Sequence, residues 1–134
     1  MEICKQPLAN VGFQAGQDRR MVTFSVNEVV KHLEGMAGKD VAVRGMLSFE
    51  FENVSLSHVP LFERAAGYAS SVWLSVGDGS RGFDPKVCER LRGKVVIVEG
   101  TLLKPDPRLG GCGHFSLWPA EIVARTLELA PAFE

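Results

Sequence analysis

The chain lacks most of the features that announce a chemical activity. It has three cysteines in 134 residues, Cys4, Cys88 and Cys112. That is too few for a disulfide scaffold, and the odd number leaves a thiol unless chains pair, so reduced cysteines of a cytoplasmic protein are the expectation. No apolar run approaches the 18 or so residues a membrane helix needs. No basic segment precedes a long apolar run near the start, so a secretory leader is not expected. Neither charge sign dominates. Fifteen Lys and Arg face 16 Asp and Glu, a formal charge of −1, so the overall field does not steer polyanions or anchor the chain to an anionic membrane. No phosphate loop, dinucleotide fingerprint, nucleophile elbow or metalloprotease pattern occurs. Internal repeats and low-complexity tracts are absent too.

What is there suits one folded domain. Hydrophobic residues make up 46% of the chain, with 8 Phe and 2 Trp, against 23% charged. This excludes bulk disorder. Residues 1–24 show no sustained period and read as an N-terminal extension, with a short strand open at Met21–Thr23. Residues 25–134 read as a single domain.

The first clear signal is a helix start. Ser25 and Glu28 form a capping box, and Phe24 with Val29 occupies the staple positions. Val26, Val29, Val30 and Leu33 share one face, and Gly35 supplies a stop, giving a helix over about 26–34. In DVAVRGMLSFE, Val41, Val43, Gly45, Leu47 and Phe49 alternate with a wetter face that carries Arg44. A turn near Glu52 and Asn53 leads to VSLSH. Pro60 interrupts it, and LFERAAGYAS is a loop or one irregular helical turn. SVWLSV points Val72, Leu74 and Val76 one way and Trp73 the other. Asp84 and Pro85 then open a short helix that Gly93 ends, with Cys88 on its core side. KVVIVEGTLLK is the strongest strand. HFSLW and EIVARTLEL close the chain as one strand bent at Pro119 or as two.

Five strands with one apolar face each bury that face by curling into a closed ring. The expected fold is mostly β, a five-stranded OB-fold-like barrel with an N-terminal helix and a short helix between strands three and four. Gly45 and Gly100 fall inside strong strands, where glycine serves sharp coiling; close approach of a ligand is the alternative.

The same residues carry a resemblance. Gly38, Lys39, Val41, Val43, Gly45, Phe51, Glu52 and Leu56 resemble the opening of small bacterial OB-fold-like domains of poorly characterised function. Gly93, Lys94, Val96, Val98, Glu99 and Gly100 are similar to their fourth strand. Gly113, His114, Phe115 and Ile122 are similar to their closing segment. The likeness spans about residues 25–130. It implies the fold and little about activity.

Candidate chemistry is thin. Cys112 and His114 are close in sequence, but a zinc site would need Cys4, Cys88, His32 or His58 to converge on them. A Cys–His nucleophile would need mutual reach and an oxyanion hole; His114 as a hydrogen-bonding latch for its loop is preferred. Asp78 and Asp84 lack calcium-loop spacing and read as caps. No catalytic residue, cofactor or metal is expected. The surface residues singled out are Arg44, Phe51, Tyr68, Trp73, Arg81, Phe83 and His114. They suit a non-enzymatic module that binds a protein partner or a second copy of itself. The alternative is single-stranded nucleic acid, with bases stacked on aromatics. Against it stand Ser55 and Ser57 where aromatics would be useful, and the carboxylates of Glu50, Glu52, Glu63 and Asp78. Trp73 has a plainer role open to it as well, packing under the Ser25 helix.

Overall fold

A computed structural model of the chain describes residues 22–50, 52–76 and 84–131. Its elements follow the sequence pattern. Strand β1 (Thr23–Ser25) runs directly into helix α1 (Val26–Lys31), and a one-turn helix α2 (Leu33–Met36) follows. Then come β2 (Asp40–Glu50), β3 (Asn53–Ser57), a 3-10 turn at Leu61–Glu63 and β4 (Ser71–Val76). Helix α3 (Pro85–Leu91), β5 (Val95–Leu103), a 3-10 turn at His114–Ser116 and β6 (Glu121–Leu129) complete the order.

The capping box forms as expected: Ser25 Oγ accepts from the Glu28 N–H, and the Ser25 N–H donates to Glu28 Oε1 at 2.7 Å. The helix expected over 26–34 is broken at His32 into α1 and α2, and Gly35 lies inside α2 instead of ending it. Gly38 makes the turn, with φ +85°, a left-handed backbone that glycine adopts without steric cost. Asp84 and Pro85 open α3 as their types predict.

The strands pair in a ring. Antiparallel pairings join β2 to β3, β3 to β4, β6 to β5 and β5 to β2, and a parallel pairing joins β4 to β6. Long β2 makes this possible. Its residues 40–46 pair with β5, while its residues 46–50 pair with β3. β1 pairs in parallel with Ala42–Arg44, extending the sheet to six strands. Val43, Leu47, Leu56, Val72, Val98 and Ile122 point into the ring and are fully buried, joined by Val26 and Val29 of α1 and Cys88 and Leu91 of α3.

Two glycines make close crossings. A Cβ on Gly45 would lie 2.7 Å from both Leu56 Cγ and the Ser57 carbonyl oxygen. One on Gly100 would lie 2.2 Å from the Val123 carbonyl oxygen, at the register shift between Glu99 and Gly100. The approaching atoms belong to neighbouring strands, so tight coiling accounts for both glycines.

The closing segment differs from the expectation. HFSLW is not a strand. His114–Ser116 is a 3-10 turn, and only an isolated Cys112–Trp118 bridge links the two sides of the loop before β6. Gly113 (φ +77°) and Ser116 (φ +54°) turn the chain too sharply for an extended run.

Candidate functional site

The outward side of β3 and β4 carries the row Ser48–Ser55–Trp73–Glu121 across four strands. The loop that returns from β5 to β6 lies over this row. Gly113 sits so close to Trp73 that a Cβ would fall 2.5 Å from its Cδ2. On the same side Trp118, only 3% exposed, meets Trp73 with ring centroids 4.8 Å apart at 57°. Tyr68 meets Trp118 at 4.7 Å and 60°. These tilted contacts are a favourable arrangement of aromatic quadrupoles. The Trp118 indole N–H donates to Ser71 Oγ at 3.1 Å, and Ser71 Oγ donates onward to the Leu56 carbonyl. The result is a small second core outside the ring.

Trp73 does face away from the main core, as its alternation requires. Its cover is this loop and not the Ser25 helix. Its ring therefore offers little open face to a base. Tyr68 keeps 42% exposure at the edge of the cluster. His114 is half-buried in the 3-10 turn, with Nε2 3.1 Å from Glu52 Oε1 of the turn after β2, a contact that does not have hydrogen-bond geometry. Glu52 itself adopts φ +61°. Arg44 lies on the outward side of β2, in a recess with Thr23, Phe24, Ser25, Glu28 and Val59. It is four residues, roughly 13 Å, along the strand from Ser48 in the Trp73 row. Phe51, Arg81 and Phe83 lie outside the described residues. The structure thus brings Tyr68, Trp73 and His114 to one region and leaves Arg44 in another. The carboxylates of Glu52 and Glu121 are among the charged groups of the Trp73 region, the latter accepting from Ser75 Oγ at 2.6 Å.

The two thiols among the described residues, Cys88 and Cys112, are buried. Burial, reinforced by Glu121, pushes Cys112 from 9.0 up to about 11, and burial followed by Asp84 raises Cys88. Both therefore stay protonated at neutral pH, unlike a nucleophilic cysteine. Among the described residues no group of three or more His, Cys, Asp or Glu is placed to hold a metal ion, and no helix is long and apolar enough to cross a membrane.

A second feature escapes the sequence reading. The segment after β3 presents Leu61, 58% exposed, and Phe62, 85% exposed. Its charged neighbours bond back to the fold, although half of the Glu63 side chain stays exposed. His58, almost fully buried, accepts the Asn27 N–H at Nδ1, which leaves the ring proton on Nε2, 2.8 Å from Glu63 Oε1. Arg64 Nε donates to the His58 carbonyl at 2.7 Å. Asn27 Nδ2 donates to the Glu63 carbonyl, and the Ala65 N–H to Ser70 Oγ. The loop is tied on both sides, and its largest apolar groups face solvent. The available sequence signal was the pair Leu61–Phe62 between Pro60 and two charges. It carries no period, so nothing in it said which way the pair pointed.

Comparison with known proteins adds no family. No family model matches the chain, and no curated protein matches it. Among solved structures the chain is similar to one described as an aspartyl-tRNA synthetase of Leishmania major, with a TM-score of 0.46 and 13% identity. The match covers 90% of this chain and 23% of the other, so this chain spans under a quarter of that protein.

Proposed function

We propose that this chain is a five-stranded OB-fold-like barrel acting as a non-enzymatic module that binds protein through the Leu61–Phe62 loop. The closed ring of five pairings supports the barrel. The exposure of Leu61 and Phe62 on a loop tied to the fold carries the reading. A surface loop ordinarily shows its charges and hides its aromatics. Here Glu63 and Arg64 bond to His58 while Phe62 stands in water. Leaving a Phe side chain exposed forgoes about 1.5–3 kcal/mol of burial. A tied loop loses little entropy on docking, so the same burial is recovered almost fully against a partner. Stacking of single-stranded nucleic acid is disfavoured by the covered Trp73 and the neighbouring carboxylates of Glu52 and Glu121.

The test places a photo-activated crosslinking residue at position 62, with a control at exposed Glu128. Protein adducts specific to position 62 are expected. In parallel, mixed-sequence single-stranded DNA and RNA are titrated at about 50 and 200 mM salt, across which phosphate-driven binding weakens steeply. Saturable, salt-sensitive binding lost in Trp73→Ala overturns the protein-binding reading.

A further inference from the structure

We infer that His58 is a proton-operated catch for the Phe62 loop: the neutral ring holds the loop in its binding shape, and a second proton on the ring releases it in mild acid. This rests on the protein-binding reading above and names the regulation of that same surface. His58 is 2% exposed, and both of its ring nitrogens are committed. Nδ1 accepts the Asn27 N–H at 3.1 Å, and Nε2 stands 2.8 Å from Glu63 Oε1 as the donor. The Asn27 N–H belongs to the first turn of α1, whose donors find no carbonyl inside the helix. The ring therefore joins helix to loop, an acceptor on one side and a donor on the other. The His58 backbone adds to the junction. Its N–H donates to the Ser70 carbonyl, and its carbonyl accepts from Arg64 Nε.

Protonation breaks this arrangement. An imidazolium carries an N–H on both nitrogens and accepts at neither. The new proton would sit on Nδ1 and face the Asn27 N–H, donor against donor. The ring is too buried for water to take up either group, and a buried donor left unpaired forfeits its hydration. The charged groups about the ring pull both ways. Glu63 and Arg64 reach it from the loop, while Glu28 of α1 and Arg44 of β2 line the recess at the adjacent Val59. Ser70, from the segment before β4, brings no charge. The carboxylates favour a cation and the guanidinium groups oppose it. Glu63, in direct contact, is half exposed, so water weakens its ion pair with the ring. Hydrogen-bond geometry then decides, and the cation leaves its seat. The loop loses its tie through the ring to α1. A released loop must be ordered again on docking, which weakens binding. Phe62 thus binds near neutral pH and lets go in the acid range where imidazoles take up a proton.

Two-dimensional NMR of the nitrogen-labelled full chain, from about pH 8 to about pH 5, tests this across the range of an ordinary imidazole titration. At the upper end the ring proton of His58 should be on Nε2, with Nδ1 bare. As His58 takes up its second proton, the amide signals of Asn27 and residues 58–65 should change with the same midpoint. Hydrogen-exchange protection at Asn27 should fall about fivefold to tenfold, the size of one net hydrogen bond. His58→Asn puts a side-chain carbonyl where Nδ1 stands, and it does not titrate in this range. It should keep the Asn27 protection and lose the pH dependence; His58→Gln replaces it if it fails to fold. Position-62 adducts should drop about fivefold between about pH 7.5 and about pH 5.5 in wild type and hold steady in His58→Asn. A ring proton on Nδ1 near pH 8, a His58 that titrates with Asn27 protection unchanged, a His58 that stays neutral down to about pH 5, or a His58→Asn protein with the wild-type response overturns the inference. Adducts equal at both pH values overturn it too and leave the protein-binding reading standing. A loop that responds as expected in a chain forming no position-62 adducts removes that reading and leaves the catch as a property of the fold.

Discussion

Gly100→Ala isolates the geometry that closes the ring. The added methyl would sit 2.2 Å from the Val123 carbonyl oxygen, 2.8 Å from its carbon and 2.9 Å from Ala124 Cα. All three are backbone atoms of β6, so no side chain can rotate aside. The two strands must separate by about 1 Å or the bulge at Glu99/Gly100 must rearrange. Overpacking with side-chain freedom costs about 1–3 kcal/mol, so a backbone clash belongs at the top of that range. About 3 kcal/mol corresponds to a fall in Tm of roughly 10–15 °C for a domain of this size. Gly35→Ala is the matched control. Gly35 lies in α2 with nothing within 4 Å of its added methyl. Ala there favours the helix by up to about 1 kcal/mol. Urea titration followed by circular dichroism should therefore move the two midpoints in opposite directions at similar slope. A Gly100→Ala protein within about 0.5 kcal/mol of wild type would refute the account of this crossing, which gives variants at ordinary surface sites that small effect.

Two further outcomes follow from the buried polar groups. His58→Ala leaves the Asn27 N–H and Glu63 without their partner, and a loss of about 1–3 kcal/mol is expected, with faster proteolysis around Leu61–Phe62; unchanged cleavage there would show that the loop is held by other means. Cys112 gives a pH dependence. Its folded pKa of about 11 lies above its ordinary 9.0, and the folded state disfavours the thiolate. Its contribution is thus fully present below about pH 9 and is lost as pH rises through about 11. Thermal melts should show a decline across that window that is reduced in Cys112→Ser, and an equal decline in both proteins would rule Cys112 out as its source.

The sequence by itself determined the elements. Ser25 with Glu28, and Asp84 with Pro85, state helix starts in local chemistry that needs no distant partner. Period-two alternation placed β2, β3, β4 and β5 because a strand's two faces meet different solvents. Gly45 and Gly100 stood out as glycines inside strands, and the steric reason is now visible in the crossings they permit. Gly35 misled because a glycine's role depends on its backbone angle, and Gly38 holds the left-handed one. HFSLW misled because extended and tightly turned chains share a composition when Gly113 is free to reverse direction.

Only the tertiary structure decided the surface. Alternation showed that Trp73 points outward, but its cover comes from Gly113 and Trp118, some 40 residues away in the chain. Arg44 and Trp73 looked like members of one groove, and strand geometry sets them apart. The orientation of Leu61 and Phe62 was fixed by Asn27, His58 and Ser70, which grip the loop from other elements. Local propensity records what a residue prefers beside its neighbours. What remains exposed depends on which distant segments arrive to cover it, and that is settled when the ring closes.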